Sequence, residues 1–301
     1  MPIPSKRTDL ASEARELWRS GARETDELPG VEASETEEQG FPVTTVRVLD
    51  ERGETELCKP IGEYVTVELD ALTRREADAF TRAAEVLAAH IREMLHLDGE
   101  ERLLVVGLGN AAITPDAVGP QALDYVLVTR HLKQRMPQDF AAFRDVAALR
   151  AGVLGTTGME SAELVSAAAE KLRPDRVIVI DALASCRLDR LCRTVQLSDT
   201  GIVPGSGVGN HRAALTRDTL GVPVLALGVP TVVEAATLAG ELAERAGVTD
   251  LDAERFGADG SMIVTPRDID RSVHDAAKLL GFAVDLAAHR GLRTEDVELF
   301  L

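Results

Sequence analysis

Cysteine is scarce in this chain: Cys58, Cys186 and Cys192 are the only three among 301 residues. Three thiols give no disulfide framework, and a reducing cytoplasm is the expected setting. Long apolar runs are lacking too, since no stretch reaches the roughly eighteen residues of a membrane span. The N-terminal MPIPSKRTDLASEARELWRS has no apolar core of the signal-peptide kind. A membrane is therefore not an expected partner. Basic residues are also in the minority, 33 against 50 acidic ones, for a formal charge of -17. Duplex-binding proteins carry a basic surplus, so direct nucleic-acid binding is not expected.

Several catalytic signatures are absent as well. No glycine loop carries a Walker lysine, and no G-x-S-x-G elbow presents a serine. Cys186 and Cys192 lie six apart in SCRLDRLC without a nearby histidine, which reads as two free thiols rather than a metal pair.

What is present is an alternation of strand-like and helix-like segments. Residues 20–40 are polar and acidic and read as a loop after a short charged helix. VTTVRVLD and YVTVELD alternate like half-exposed strands around the turn-rich ERGETELCKPIGE, and predict an antiparallel appendage. Thr73 and Glu76 have capping-box spacing. Behind them Ala77, Phe80, Ala84, Leu87, Ile91 and Leu95 recur at helical intervals. LLVVGLG, RVIVIDAL and PVLALGVP are unalternating apolar runs, the pattern of central parallel strands covered on both faces. SAELVSAAAEKL, ATLAGELAERAG and SVHDAAKLLGFAVDLAAHR read as helices. The expected fold is α/β: a three-layer sandwich with a mostly parallel central sheet plus a small β-rich appendage. Its active crevice should lie outside the carboxyl ends of the strands.

The stretch GLGNAAITPDAVGP, residues 107–120, follows the first run. Gly107 and Gly109 resemble the start of a dinucleotide fingerprint, but Ala112 stands where its third glycine belongs. The glycines read instead as a tight turn leaving the strand. Asp116 within it is either a helix cap or a functional acid. Asp181 at the end of RVIVIDAL favours function, because acids at the end of an apolar strand are paired or functional. If the two strands are parallel neighbours, both carboxylates overlook one crevice. They then share a proton and hold an acid and a base together. A divalent-metal clamp on the same pair needs a third ligand, for which His211 is the candidate, but no metal is favoured. SDTGIVPGSGVGNHR, residues 198–212, is either a plain lid or a cleft lining whose backbone amides hold an extended peptide. Its candidate contacts are Asp199, Gly205, Gly207, Gly209 and His211, with Asn110 on the facing turn. Pro230 and Thr231 close the third run, reading mainly as capping.

At these residues the sequence resembles the germination proteases of spore-forming bacteria. The matching strings are RTDLASEARE, GLGNAAITPDAVGP, LVTRHL, GMESAELV, KLRPDRVIVIDALASC, TVQLSDTGIVPGSGVGN and TLGVPVLALGVPTVVEA, in order from residue 7 to about 237. The chain departs from the pattern at Ala111 and Ala112, which are small for the family, and matches weakly beyond residue 240. The resemblance implies a core like that of the hydrogenase-maturation endopeptidases. It also implies an aspartic-type endopeptidase, without a cofactor, with Asp116 and Asp181 as catalytic pair. Small acid-soluble spore proteins would be its substrates, cut after Glu in a Glu-Ile/Phe-Ala-Ser-Glu-like motif. It implies a zymogen that cleaves itself between Asp9 and Leu10, where Asp9-Leu10-Ala11-Ser12-Glu13 mimics that motif. Residues 1–9 would then be a propeptide and 10–301 a single peptidase domain, with 41–70 as a β-rich sub-region and 198–212 as a glycine-rich loop. A homotetramer in the forespore or spore core is the implied state. The alternatives are a metal-dependent maturation-type endopeptidase using the same acids, and a non-enzymatic module that binds spore proteins.

Overall fold

A computed structural model describes residues 8–20, 28–206, 212–248 and 262–301. Its helices are α1 (Ala11–Ser20), α2 (Glu51–Leu57), α3 (Asp70–Thr73), α4 (Ala79–Leu95), α5 (Val118–Ala122), α6 (Arg130–Arg135), α7 (Leu154–Thr157), α8 (Ser161–Leu172), α9 (Arg217–Leu220), α10 (Ala235–Arg245), α11 (Ile269–Ala288) and α12 (Thr294–Phe300). Its strands are β1 (Val31–Glu38), β2 (Phe41–Val48), β3 (Gly62–Glu68), β4 (Leu103–Leu108), β5 (Val146–Gly152), β6 (Arg176–Ala184), β7 (Thr194–Ser198), β8 (Val224–Glu234) and β9 (Ile263–Val264).

The three apolar runs became β4, β6 and β8. They lie side by side and parallel, with β6 in the middle. Alternate residues face opposite layers. Val105, Ile178, Ile180, Leu225 and Leu227 pack under α4 and α11. Leu104, Val106, Val177, Val179 and Val224 pack under α8. Each such aliphatic side chain contributes roughly 1.5–3 kcal/mol on leaving water, which holds the end of this layer rigidly in place.

The expectation of a mostly parallel sheet with a separate β-rich appendage is overturned. The strand order is β1-β2-β3-β7-β8-β6-β4-β5, with β9 pairing β8 at the side. Only three of the seven pairs along that path are parallel, namely β4–β5, β4–β6 and β6–β8; the other four are antiparallel. The cause is β7. It returns antiparallel between β3 and β8, in register from Tyr64↔Ser198 to Glu68↔Thr194 on one side and Gln196↔Gly228 on the other. The supposed appendage is thereby the other half of one continuous sheet.

Three local expectations are also corrected. VEASETEE, read as loop, is β1, exposed along most of its length. It is held by a two-residue turn at Gln39 and Gly40, both with positive φ, the geometry that matches the twist of a hairpin. Its glutamates leave an acidic edge that discourages further pairing. ERGETEL is a helix whose Asp50 side chain accepts from Arg52 N at 3.0 Å and Gly53 N at 3.1 Å. The Thr73–Glu76 capping box does not form, because Glu76 is engaged by Arg74 and Arg82 and α4 begins only at Ala79. Among the described residues no helix is long and apolar enough to cross a membrane.

Candidate active site

The carboxyl end of β4 is shaped by close backbone approach. A Cβ at Gly107 would lie 2.4 Å from Gly119 O, one at Gly109 2.0 Å from Asp116 O, and one at Gly119 2.3 Å from both Ile180 O and Leu108 O. Gly109 also has φ of 103°, which a side chain would resist. Three glycines thus let the chain leave β4, fold back and lie flat on β4 and β6. The fold-back ends in a 3-10 turn, Thr114–Asp116. Two bonds fix it: Asn110 N donates to Asp116 Oδ2 at 2.7 Å, and Thr231 Oγ1 on β8 donates to Pro115 O at 2.8 Å.

Asp181 occupies β6 one residue beyond Ile180, which pairs with Gly107 of β4. It is buried at 5% exposure, and its Oδ1 accepts from Ala182 N at 2.9 Å. Burial pushes its pKa well above the usual carboxylate range, and the neighbouring charges of Asp116 and then Asp9 push it further; the Ala182 amide and Arg212 oppose them. Asp116 is half-buried. Its pKa is raised by burial, against the Asn110 amide and the charge of Arg212. The charge of Asp116 therefore reaches Asp181 at the carboxyl ends of adjacent parallel strands, and both burial and that charge favour the protonated form of Asp181.

A third element enters this site. Asp9 N donates to Ala184 O at 3.0 Å, and Ala184 N donates to Asp9 Oδ2 at 2.8 Å. Ser206 Oγ donates to Asp9 Oδ1 at 2.9 Å. Leu10 is fully buried. Glu13, also fully buried, accepts from Cys186 N at 2.8 Å and from the hydroxyls of Ser185 and Thr8. Thr8 to Glu13 is thus fastened beside the end of β6 by its acidic side chains.

The sequence candidates divide accordingly. Asp116 and Asp9 each come within electrostatic reach of Asp181, and Asn110 holds Asp116. Asp199 does not join them: it is exposed, and its Oδ1 accepts from Glu63 N at 2.7 Å, tying β7 to β3. Gly205, with φ of 75°, makes the bend that delivers Ser206. Gly207, Gly209 and His211 lie outside the described residues. Among the described residues no group of three His, Cys, Asp or Glu side chains is arranged to hold a metal ion. Sequence reasoning passed over Lys59, Gln196, Ser206 and Arg212, which nothing in their local pattern marks out. Cys186 is buried and Cys58 exposed. Burial lifts the Cys192 thiol to about 12, which makes it a poor nucleophile.

A buried carboxylic acid beside a carboxylate can perform acid–base hydrolysis. Comparison with known proteins gives that class a family. A family model described as germination protease matches residues 9–244. A germination protease of Caldanaerobacter subterraneus subsp. tengcongensis is 42% identical over 98% of this chain and 98% of its own. One from Clostridium tetani is 39% identical over 99% of each. One from Bacillus cereus is 42% identical over 78% of this chain and 65% of its own. A hydrogenase maturation protease, HycI, from Thermococcus kodakarensis aligns at 16% identity and a TM-score of 0.36, over 65% of this chain and 98% of its own; that likeness is too slight to bear on the fold. The chain belongs to the germination protease family. It is an endopeptidase of that self-processing type, which acts on small acid-soluble spore proteins.

Proposed function

We propose that Asp116 and Asp181 are the catalytic pair, that the Asp9–Leu10 bond is the self-processing site, and that residues 1–9 form the propeptide. The observation that carries this reading is the seating of Asp9, whose carboxylate is near enough to Asp181 to raise its pKa. Burial raises both carboxyls, Asp181 the more strongly, and that difference supports one division of roles. Asp181 is buried against two other acids and holds the proton. Asp116 is half-buried, takes the Asn110 amide bond and carries the charge.

In this mechanism Asp116 takes a proton from water as the water oxygen bonds to the Asp9 carbonyl carbon. Asp181 gives its proton to the Leu10 nitrogen as the carbon–nitrogen bond breaks. The products are a carboxyl terminus at Asp9 and an amine at Leu10. Substrate proteins carrying a Glu-Ile/Phe-Ala-Ser-Glu-like motif are cut after the first Glu by the same chemistry, since Asp9 to Glu13 presents an acid, a large apolar residue, Ala, Ser and Glu in the same order. While uncleaved, Thr8 and Asp9 fill the site and exclude them. The family setting supports a homotetramer working in the forespore and spore core.

Asp116→Asn and Asp181→Asn test the pair. General acid–base roles predict a loss of about 10²–10⁴-fold for each, read by mass spectrometry as the appearance of the Leu10 N-terminus and as spore-protein cleavage. Full activity in either variant, with native circular dichroism, rejects it.

A further inference from the structure

The Asp9 carbonyl oxygen is the atom on which negative charge develops if the Asp9–Leu10 bond is cut. Two side-chain donors converge on it. Lys59 Nζ donates to Asp9 O at 3.0 Å and to Thr8 O at 2.9 Å. Gln196 Nε2 donates to Asp9 O at 3.0 Å. The orientation of the Gln196 amide is fixed from its other end, where Oε1 accepts from Ala11 N at 2.7 Å. A flipped amide would lose both bonds at once. Gln196 is buried at 7% exposure in the middle of β7. Lys59 follows Cys58, the left-handed residue that ends α2, and its Nζ is aimed inward at the Thr8–Asp9 segment.

The geometry points to Lys59 and Gln196 as an oxyanion hole: the pair of donors that stabilises the tetrahedral oxygen on the Asp9 carbonyl during hydrolysis. The inference rests on the reading of Asp9–Leu10 as the processed bond. Anchoring alone does not account for the arrangement, because Asp9 is already fixed through its amide and both carboxylate oxygens by Ala184 and Ser206. Two further donors are then placed on the oxygen whose charge changes, Lys59 sharing its amine with Thr8 O; burial lowers the Lys59 pKa, and the Asp9 and Glu13 carboxylates oppose that. Donors already in place there need no reorganisation as the charge forms, and a cationic donor strengthens most as the oxygen becomes an anion. Hydrolysis itself balances as described above: the water oxygen bonds to carbon and the proton departs to Asp116. The carbonyl electrons rest on the oxygen held by Lys59 and Gln196, then return as the Leu10 nitrogen leaves with the proton of Asp181.

The test uses the full chain, following the Leu10 N-terminus by mass spectrometry and segment docking by hydrogen exchange at the Leu10 to Glu13 amides. Lys59→Met keeps the apolar stem without the charge. Gln196→Glu keeps an acceptor for Ala11 N and removes the donor. Each is expected to slow processing about 10²–10³-fold with Leu10 to Glu13 still protected, and Lys59→Arg to restore part of the rate. Wild-type processing in Lys59→Met and Gln196→Glu overturns the inference. So does slow processing in which both variants leave the segment unprotected, since the two residues are then anchors only. Asp181→Asn, run alongside, separates the layers: if it is inactive while Lys59→Met processes normally, the acid pair stands and the oxyanion hole falls. If Asp181→Asn processes normally, the reading beneath both falls.

Discussion

Gly119→Ala probes whether the glycines of GLGNAAITPDAVGP set the position of Asp116. Gly119 lies flat on β4 and β6, and an added Cβ would sit 2.3 Å from Ile180 O, 2.3 Å from Leu108 O and 2.7 Å from Leu108 N. All three are backbone atoms of buried strands, so no side chain can swing aside. Ordinary contact needs about 3.4 Å, and the turn must therefore lift by about 1 Å. Overpacking of this kind costs roughly 1–3 kcal/mol in stability. The lift also acts on the turn that carries Asp116, three residues upstream, relative to Asp181, which adjoins the Ile180 carbonyl. A misplacement near 1 Å costs on the order of 10²-fold in rate. Urea unfolding gives the first quantity, and the time course of self-processing gives the second. Gly155→Ala is the control, since nothing lies within 4 Å of its Cβ, and it should stay within about 0.5 kcal/mol of wild type. Gly119→Ala processing at the wild-type rate with wild-type stability would refute the idea that close backbone approach positions the acid.

His289 is buried, accepts from Arg144 N at its Nδ1, and has its pKa lowered by burial from 6.5 to about 4. The unfolded chain binds the proton first, so the stability His289 contributes is complete above pH 6.5 and lost as pH falls toward 4. That is worth about 3 kcal/mol at 1.36 kcal/mol per pKa unit. The stability difference between wild type and His289→Gln should shift by that amount between pH 7 and pH 4 in denaturant titrations, and an unchanged difference counts against it. Glu13→Ala should cost about 3–5 kcal/mol in the same assay, because it strips a buried carboxylate from Cys186 N, Ser185 and Thr8; a loss under 1 kcal/mol would mean these bonds are loosely held.

Much of the parallel half was legible. LLVVGL, RVIVIDALA and VLALGVPTVVE are apolar on both faces because helices cover both faces, and that burial leaves a trace in the sequence. The helix α4 showed in its period, and α8, α10 and α11 in helix-like segments between the apolar runs. The antiparallel half did not. VEASETEE exposes most of its residues, so no alternation marks it, and it is a strand only because β2 pairs with it. TVQLS is five residues long, with Thr194, Gln196 and Ser198 buried. Polar alternation normally signals a solvent face; here that face is covered in part by the N-terminal segment, through Gln196. Asp181 stood out as an acid at the end of an apolar strand and drew Asp116 with it, whereas Asp199 was a candidate only through the glycine-rich loop it begins. An acid at a strand end is as well explained by capping a neighbouring strand's amide, which is what Asp199 does to Glu63 N.

The corrected topology also leaves room for Thr8 to Glu13 beside the end of β6. The parallel half carries Asp116 in the turn after β4 and Asp181 on β6. Had the sheet continued parallel beyond β8, a crossover helix would have covered that flank. Instead β7 runs back beside β8, with Gln196 level with Gly228 of β8, which is itself level with Asp181 of β6. Gln196 is thereby two strands away from the acid along one row of the sheet. The reversal also joins β3 to β7, and Lys59 lies in the short stretch between α2 and β3. That antiparallel strand puts Gln196 in the row that holds Asp181, and Lys59, just before β3, reaches the same Asp9 carbonyl oxygen. If that is the device, shortening the link between α2 and β3 by one residue should displace Lys59 from Asp9 and slow processing while leaving Asp116 and Asp181 untouched; tryptic mapping of the intact chain with a Leu10 N-terminus assay would read both.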